Sequence, residues 1–181
     1  MTVVSLDQLV TADAARVGVK AANLGELKAA GVPVPDGFVI LGDPGEDLEQ
    51  ALVELGEGPV AVRSSAVAED LAEASFAGQY ETFLNVCGTD KVRQAIRLCR
   101  KSASSTRVRI YRAQRAQGSG EEIAVLVQRM VDADTSGVAF TANPLTGDRE
   151  EVTISAVRGL GERLVSGQVF YSRLGTRPHL G

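Results

Sequence analysis

Tryptophan is absent from this 181-residue chain, and all aromatic residues together make up only 4% of it. The hydrophobic core must therefore rest on Val, Leu, Ala and Ile. Cysteine is scarce as well: the spacing of Cys87 and Cys99 matches no metal site, which predicts two small apolar side chains that stay reduced. The single histidine, His179, stands near the end of the chain, and we interpret it as a surface residue and not as a catalytic one.

An excess of positive charge is missing too. The formal net charge is -4, which argues against nucleic acid as a partner. No apolar run is long enough to span a bilayer, and the first residues lack the basic start and apolar stretch of a signal peptide. We therefore expect a cytoplasmic protein that binds no membrane. Its 44% hydrophobic and 23% charged residues are typical of a globular fold.

The hydrophobic pattern mixes strands and helices without strict alternation, which predicts the α+β class. Strands are expected at residues 3–6, 38–41, 60–63, 81–86, 123–131, 137–141 and 152–155, and a turn at 143–147. Helices are expected at 21–30, 46–55, 90–116 and 162–165, the third with a break near Ser102 to Ser105. Residues 173–181 show no pattern and predict a loose tail.

Two cations are candidates for contacts with a phosphate. Lys20 follows Gly18 at the start of a predicted helix, where backbone N–H groups and the helix dipole favour an anion. The segment is not a P-loop, and a surface lysine that opens a helix is the commoner explanation. Arg63 ends an apolar strand, where a charge needs a partner. That partner is either a nucleotide phosphate or one of the nearby carboxylates Glu69, Asp70 and Glu73, and both interpretations stay open.

Two further segments are candidates for contacts with a nucleotide. The small residues around Gly78 allow a loop to close over a ligand, with Thr82 adding a hydroxyl, although an ordinary strand connection is the alternative. Gln128 lies within a β-prone apolar run and must find hydrogen bonds. Its amide suits a purine edge, but pairing with neighbouring backbone is the interpretation that physical chemistry alone favours.

Together these segments resemble the N-terminal ATP-binding domain shared by phosphoenolpyruvate synthase, pyruvate phosphate dikinase and rifampin phosphotransferase. The resemblance rests on VKAANLGELKAAGVPVPDGF, AVRSSAVAEDLAEASFAGQYETFLNV, VQRMVDADTSGVAFTANPLTG and GLGERLVSGQV, in the order of the family. The resemblance spans residues 18–169, and the sequences FTANPLTG and GLGERLVSG are most similar to the rifampin phosphotransferase branch. What it implies is an ATP-grasp-like domain over residues 1–172, with ATP between two lobes.

By position, the resemblance assigns five residues to ATP. Lys20 and Arg63 match cations that contact phosphate, Gly78 and Thr82 match the loop that covers the phosphates, and Gln128 matches a residue near the adenine. Two cations and a small-residue loop suit a triphosphate, because charge must be offset as it develops on the transferred phosphoryl group. The resemblance thus implies ATP and Mg²⁺ as cofactors.

The chain also departs from the family pattern. Only residues 41–59 fill the gap between the GF and VRSS strands, where the family has a longer insert, and Ala142 stands where dikinases carry Arg. We expect the Mg²⁺ ligands and the carrier histidine, which His179 does not resemble, to come from a segment or partner outside this chain. The resemblance therefore implies an ATP-binding component of a phosphotransferase that is incomplete alone. The alternative is a non-catalytic module that senses nucleotide or docks on a partner, including a second copy of itself.

Overall fold

The computed structural model describes residues 3–43, 45–65, 82–114, 123–165 and 172–176. The chain divides into two compact units, Met1–Met130 and Val131–Gly181, and each is described here by itself. The expected nucleotide-binding domain over residues 1–172 extends across both units and stays a prediction.

The first unit is built on a five-stranded sheet with the order β1-β2-β5-β3-β4, in which all neighbouring strands are antiparallel. Its strands are β1 (Val3–Ser5), β2 (Gly37–Ile40), β3 (Val60–Ser65), β4 (Thr82–Val86) and β5 (Ala124–Arg129). Its helices are α1 (Ala14–Val17), α2 (Val19–Ala29), α3 (Asp47–Leu55) and α4 (Thr89–Gln114), with short 3-10 turns at Leu6–Gln8 and Thr11–Asp13.

Helices cover both faces of this sheet. On one face, side chains of β2, β3 and β5 such as Phe38, Val62 and Val127 form a core with the apolar residues of α3 and α4. On the other, which we call the α2 face, Val39 and Leu126 pack with residues of α1, α2 and the segment before them. Each fully buried Val or Leu contributes about 1.5–3 kcal/mol. Burial on both faces explains why β2 and the first five residues of β5 carry no exposed side chain.

The second unit is a three-stranded antiparallel sheet, β6 (Thr135–Phe140), β7 (Val152–Arg158) and β8 (Ser172–Thr176), with the short helix α5 (Glu162–Val165). The loop between β6 and β7 is organised by Asn143. Its side-chain oxygen accepts from the N–H groups of Leu145 at 2.8 Å and Thr146 at 3.3 Å, and its own carbonyl accepts from the N–H of Gly147. Such a side chain mimics a backbone turn, which confirms the turn predicted here.

The α+β class is confirmed, and three local predictions were wrong. Helix α4 has no break at residues 102–105; Ser102 Oγ donates to the carbonyl of Cys99 at 3.0 Å, so the hydroxyl is satisfied within the helix. Residues 172–176 form strand β8 by pairing with β7, so the first part of the expected loose tail is ordered, and residues 177–181 lie outside the described residues. Cys99 is buried as expected, but Cys87 is exposed and fills no core. Among the described residues, no helix combines the length and hydropathy required of a membrane span.

Candidate functional site

The register of the central strands places two predicted site residues side by side. Arg63 on β3 pairs directly with Thr82 on β4, and on its other side it pairs with Leu126 on β5. Residues that face each other across an antiparallel ladder lie on the same face of the sheet. Since Leu126 packs in the core under α2, Arg63 and Thr82 both lie on the α2 face.

Helix α2 brings a second cation to the same face. Lys20 is the second residue of this helix, and its Nζ donates to the backbone carbonyl of Ser64 at 3.4 Å. Ser64 is the neighbour of Arg63 in β3. The structure therefore collects Lys20, Arg63 and Thr82, three residues that are far apart in sequence, around the end of β3 that leads into the connection to β4.

Part of the Arg63 guanidinium is buried without a partner among the described residues. The Nε atom has no solvent exposure and makes no hydrogen bond to any described residue. Burial also lowers the pKa of Arg63, because removal from water disfavours the charged form. An arginine keeps its charge at neutral pH nevertheless, so this side chain presents to the α2 face a cation whose Nε has no hydrogen-bond partner among the described residues.

Gln128 lies on the same sheet face, one strand away from Arg63. It pairs with Ala61 of β3, which places it diagonal to Arg63 at about 7–8 Å. Its side-chain Nε2 donates to the carbonyl of Pro35 at 3.0 Å, and the residue is buried. This is the backbone pairing that physical chemistry alone favoured. The assignment of Gln128 to adenine stays a prediction.

The remaining candidates lie outside the described residues. Gly78 belongs to the connection between β3 and β4, and so do the three carboxylates, Glu69, Asp70 and Glu73, that were weighed as internal partners of Arg63. His179 also lies outside the described residues. Ala142 is described and lies in the loop after β6. Both a phosphate and a carboxylate stay predictions as the partner of Arg63.

Sequence reasoning missed Ser65, which holds the start of α2 against β3. Its Oγ accepts from the backbone N–H of Ala21 at 3.3 Å, although the two residues are 44 positions apart. Gly18, the N-cap residue of α2, approaches the carbonyl of Ser65 so closely that a Cβ atom on it would stand 2.2 Å from the oxygen. A local sequence window contains no signal for such a contact, apart from the glycine itself.

The opposite end of α2 is held by an ion-pair cluster. Lys28 Nζ lies 2.8 Å from a carboxylate oxygen of Asp7 and 2.6 Å from one of Asp36. Hydrogen bonds to Asp36 and then to Asp7 raise the pKa of Lys28, and the bond to Lys28 is the main reason why the pKa of Asp7 is lowered. The helix that carries Lys20 is thus fixed at both ends.

A cavity of about 560 Å³ opens elsewhere in the first unit, between the β1 edge of the sheet and α3. Its floor includes Phe38 and Leu55, which belong to the core on the face opposite α2. Its lining includes the carboxylates of Asp47 and Glu54 and no Lys or Arg. Because carboxylates repel phosphate, the lining of this cavity does not suit the phosphates of a nucleotide.

The described residues offer no obvious place for a divalent cation. No group of three or more His, Cys, Asp or Glu side chains within the described ranges is arranged to hold a metal ion. Near Lys20 and Arg63 these ranges supply cations, hydroxyls and backbone carbonyls, whereas Mg²⁺ in phosphate sites is usually bound through carboxylates. The described part of the site therefore fits the phosphates of a nucleotide and does not fit the metal.

Comparison with known proteins shows which family this chain resembles. The AMP/ATP-binding domain family of pyruvate phosphate dikinase matches residues 43–172. A phosphoenolpyruvate synthase of Pyrococcus furiosus is 48% identical over 131 residues, which cover 68% of this chain and 16% of the relative. A prodigiosin synthesizing transferase of Serratia marcescens is 38% identical over 203 residues, which cover 92% of this chain and 23% of the relative. A crystal structure from Pyrococcus horikoshii matches with a TM-score of 0.49 at 20% identity, over 90% of this chain and 58% of that one.

The lengths of these matches show that the chain corresponds to only part of each relative. The chain spans about a sixth to a quarter of the length of these two curated relatives. The Serratia match extends over 203 positions yet covers 92% of a 181-residue chain, so this relative contains residues within the matched stretch that the present chain lacks. That difference agrees with the expected shortening, whose place between β2 and β3 stays a prediction.

Proposed function

Since the chain belongs to the AMP/ATP-binding domain family of pyruvate phosphate dikinase, we propose that its α2 face binds the phosphates of ATP as part of a phosphoenolpyruvate synthase-like phosphotransferase. The observation that carries this proposal is the convergence of Lys20, Arg63 and Thr82, which come from three elements of the first unit. Arg63 adds a buried Nε that meets no described partner, as expected of a cation prepared for an anionic ligand.

Each residue has a distinct task in this proposal. Lys20 supplies a compact positive charge, and Arg63 supplies a planar fork that matches two phosphate oxygens. Thr82 adds a hydroxyl donor, and Gly78 allows the β3–β4 connection to approach the phosphates closely. Gln128 contacts the adenine. Charge held in place before the reaction stabilises the charge that develops on the transferred phosphoryl group.

The rest of the apparatus is proposed to come from outside these residues. Mg²⁺ would offset negative charge on the phosphates, and we assign its ligands to a segment or partner beyond the described residues. The same holds for the carrier histidine and for recognition of the phosphoryl acceptor. The support for this division is the small share of the relatives' length that the chain spans. A cytoplasmic location is proposed with it.

A second function is favoured by one observation. Residues are missing from within the matched stretch relative to the Serratia transferase, and a trimmed domain that keeps its phosphate contacts suits a module that senses nucleotide without transferring phosphate. The two functions differ in a single assay. The assay incubates the protein, as the cell makes it, with labelled ATP. Transfer of a phosphoryl or pyrophosphoryl group from ATP to a histidine supports the enzyme component. ATP binding without labelling of the protein supports the sensing module.

A thermal-shift screen with ATP, ADP and AMP, each with and without Mg²⁺, tests the binding proposal. A ligand that binds only the native state raises its apparent stability. We expect ATP to raise the Tm more than AMP, because Lys20 and Arg63 together offer charge for more than one phosphate group. Equal Tm values with and without every nucleotide, at millimolar concentration, would contradict the proposal.

A further inference from the structure

The N-terminus of α2 has no capping side chain of its own. Its N-cap residue is Gly18, with a φ of 83° and no side-chain hydrogen bond to the helix. The first N–H groups of a helix need partners from outside the helix. Ser65 Oγ, at the end of β3, accepts from the N–H of Ala21 at 3.3 Å and so replaces the missing local cap. We call this contact between Gly18, Ala21 and Ser65 the β3–α2 joint.

The β3–α2 joint leaves little room for displacement. A Cβ atom on Gly18 would lie 2.2 Å from the carbonyl oxygen of Ser65 and 2.6 Å from its Oγ, so the backbones are in direct contact. Ser65 itself is only 1% exposed and Ala21 is 0% exposed, which excludes water as a substitute partner without repacking. The helix can therefore meet the strand in one arrangement.

Both candidate cations depend on this arrangement. Arg63 lies two residues before Ser65 on the same strand, and hence on the same sheet face. Lys20 directly precedes Ala21, whose N–H is held by Ser65, and its Nζ reaches the carbonyl of Ser64 at 3.4 Å. The backbone of Lys20 is thus held relative to Arg63 by a contact in which neither charged group takes part, in addition to the contact of Lys20 Nζ with Ser64.

We infer that Ser65 is a positioning residue for nucleotide binding, which acts by fixing Lys20 relative to Arg63 through the β3–α2 joint. This inference rests on the proposed function. Its physical basis is that a triphosphate gains from two cations only when their separation matches the phosphate groups, and a helix start that frays or shifts moves Lys20 away from that position. Ser65 itself does not contact the nucleotide.

The test is a double-mutant cycle of Ser65→Ala and Lys20→Ala, read by ATP affinity in calorimetric titration of the full chain. We expect Ser65→Ala to weaken ATP binding about five-fold, the effect of losing a helix cap. In the Lys20→Ala background the same change should alter affinity by less than about two-fold, because the residue through which Ser65 acts is gone. Ser102→Ala removes a serine hydroxyl from α4, on the other side of the sheet, and serves as the control with unchanged affinity.

A second readout observes the cap without any nucleotide. Hydrogen exchange at the Ala21 amide, measured by NMR in the unliganded chain, should become about five-fold faster in Ser65→Ala and stay unchanged in Ser102→Ala. Ser65→Cys keeps the shape of the side chain with a somewhat larger atom in place of the hydroxyl oxygen and is a poor acceptor, and it replaces Ser65→Ala in both measurements if the alanine variant does not fold.

The outcomes separate this inference from the proposed function. ATP binding that Lys20→Ala weakens and Ser65→Ala leaves unchanged would overturn the positioning role alone. An equal loss of affinity from Ser65→Ala in both backgrounds would overturn it too, because Ser65 would then act independently of Lys20. Failure of the unsubstituted chain to bind ATP contradicts the proposed function, and with it any role of Ser65 in binding.

Discussion

Replacement of Arg63 by methionine should stabilise the unliganded fold and weaken ATP binding at the same time. Methionine keeps most of the apolar stem that packs on the sheet and removes the charged guanidinium. The Nε of Arg63 is buried without a hydrogen bond to any described residue, and burial lowers the pKa of this group. The same side chain thus destabilises the unliganded fold and, under the proposed function, contacts ATP in the bound state.

The size of each effect follows from the geometry. A buried polar group without a partner costs about 1–3 kcal/mol, so Arg63→Met should raise the free energy of unfolding by up to that amount. In a chain of this length each kcal/mol raises the Tm by about 2–4 °C. Hydrogen bonds to a charged group contribute about 1.5–3 kcal/mol, so the ATP dissociation constant should rise by roughly ten- to a hundred-fold.

Two measurements and one control variant test this prediction for Arg63→Met. Urea unfolding should be followed by far-UV circular dichroism, since the chain contains no tryptophan. ATP affinity should be measured by titration calorimetry. Arg97 is an exposed arginine on α4, so Arg97→Met controls for the loss of one positive charge and should change stability by no more than about 0.5 kcal/mol.

The reasoning would be refuted by the opposite pattern. If Arg63→Met lowers the free energy of unfolding and leaves ATP affinity intact, the guanidinium has an internal partner. The carboxylates at Glu69, Asp70 and Glu73 would then be the first candidates, and each could be tested by its amide variant. Breaking a buried ion pair typically costs about 3–5 kcal/mol, so the two cases differ in sign as well as in size.

Two further predictions concern other contacts of the first unit. Gln128→Leu removes the donor to the carbonyl of Pro35, which should lower the free energy of unfolding by about 1 kcal/mol; if Gln128 also contacts adenine, ATP and AMP affinities fall by the same factor, and unchanged affinities would leave it a structural role only. Lys28→Met should make the free energy of unfolding depend less on pH on the acid side. Because Lys28 lowers the pKa of Asp7, the ionised Asp7 stabilises the fold above the unfolded-state pKa of about 4, and this stabilisation is lost as pH falls through the folded-state pKa. Identical acid-side slopes in urea titrations of the two proteins would contradict this.

Local signals were sufficient for most of the elements. The alternation and apolar runs at Val60 and Ala124 predicted β3 and β5, and the spacing of Leu48, Leu52 and Leu55 predicted α3, each with bounds that differ by a few residues from the observed ones. These segments are buried on the sides that their own sequence specifies. Whether each of these segments is a helix or a strand can therefore be predicted from its own residues, without knowledge of distant contacts.

Features that depend on distant contacts could not be predicted. Strand β8 forms because residues 172–176 pair with β7, and no hydrophobic pattern of their own indicates it. Ser65 caps a helix that begins 46 positions earlier in the sequence, so only the fold brings donor and acceptor together. The motifs assigned Lys20 and Arg63 to a phosphate site by resemblance. The position of Arg63 on the α2 face follows from strand register, and that of Lys20 follows from the packing of α2 on β3, neither of which a single sequence specifies.

The central claim is that Lys20 and Arg63 on the α2 face bind the phosphates of ATP. Calorimetric titration of Mg-ATP into the chain and into Lys20→Ala and Arg63→Ala tests it most directly. We predict saturable binding that is weaker than the low micromolar range, corresponding to less than about 8 kcal/mol of binding free energy, because no group of three or more His, Cys, Asp or Glu side chains among the described residues is arranged to hold a metal ion. Each substitution should weaken it further. Affinity that is unchanged in both variants would contradict the claim and leave these two residues as parts of the scaffold only.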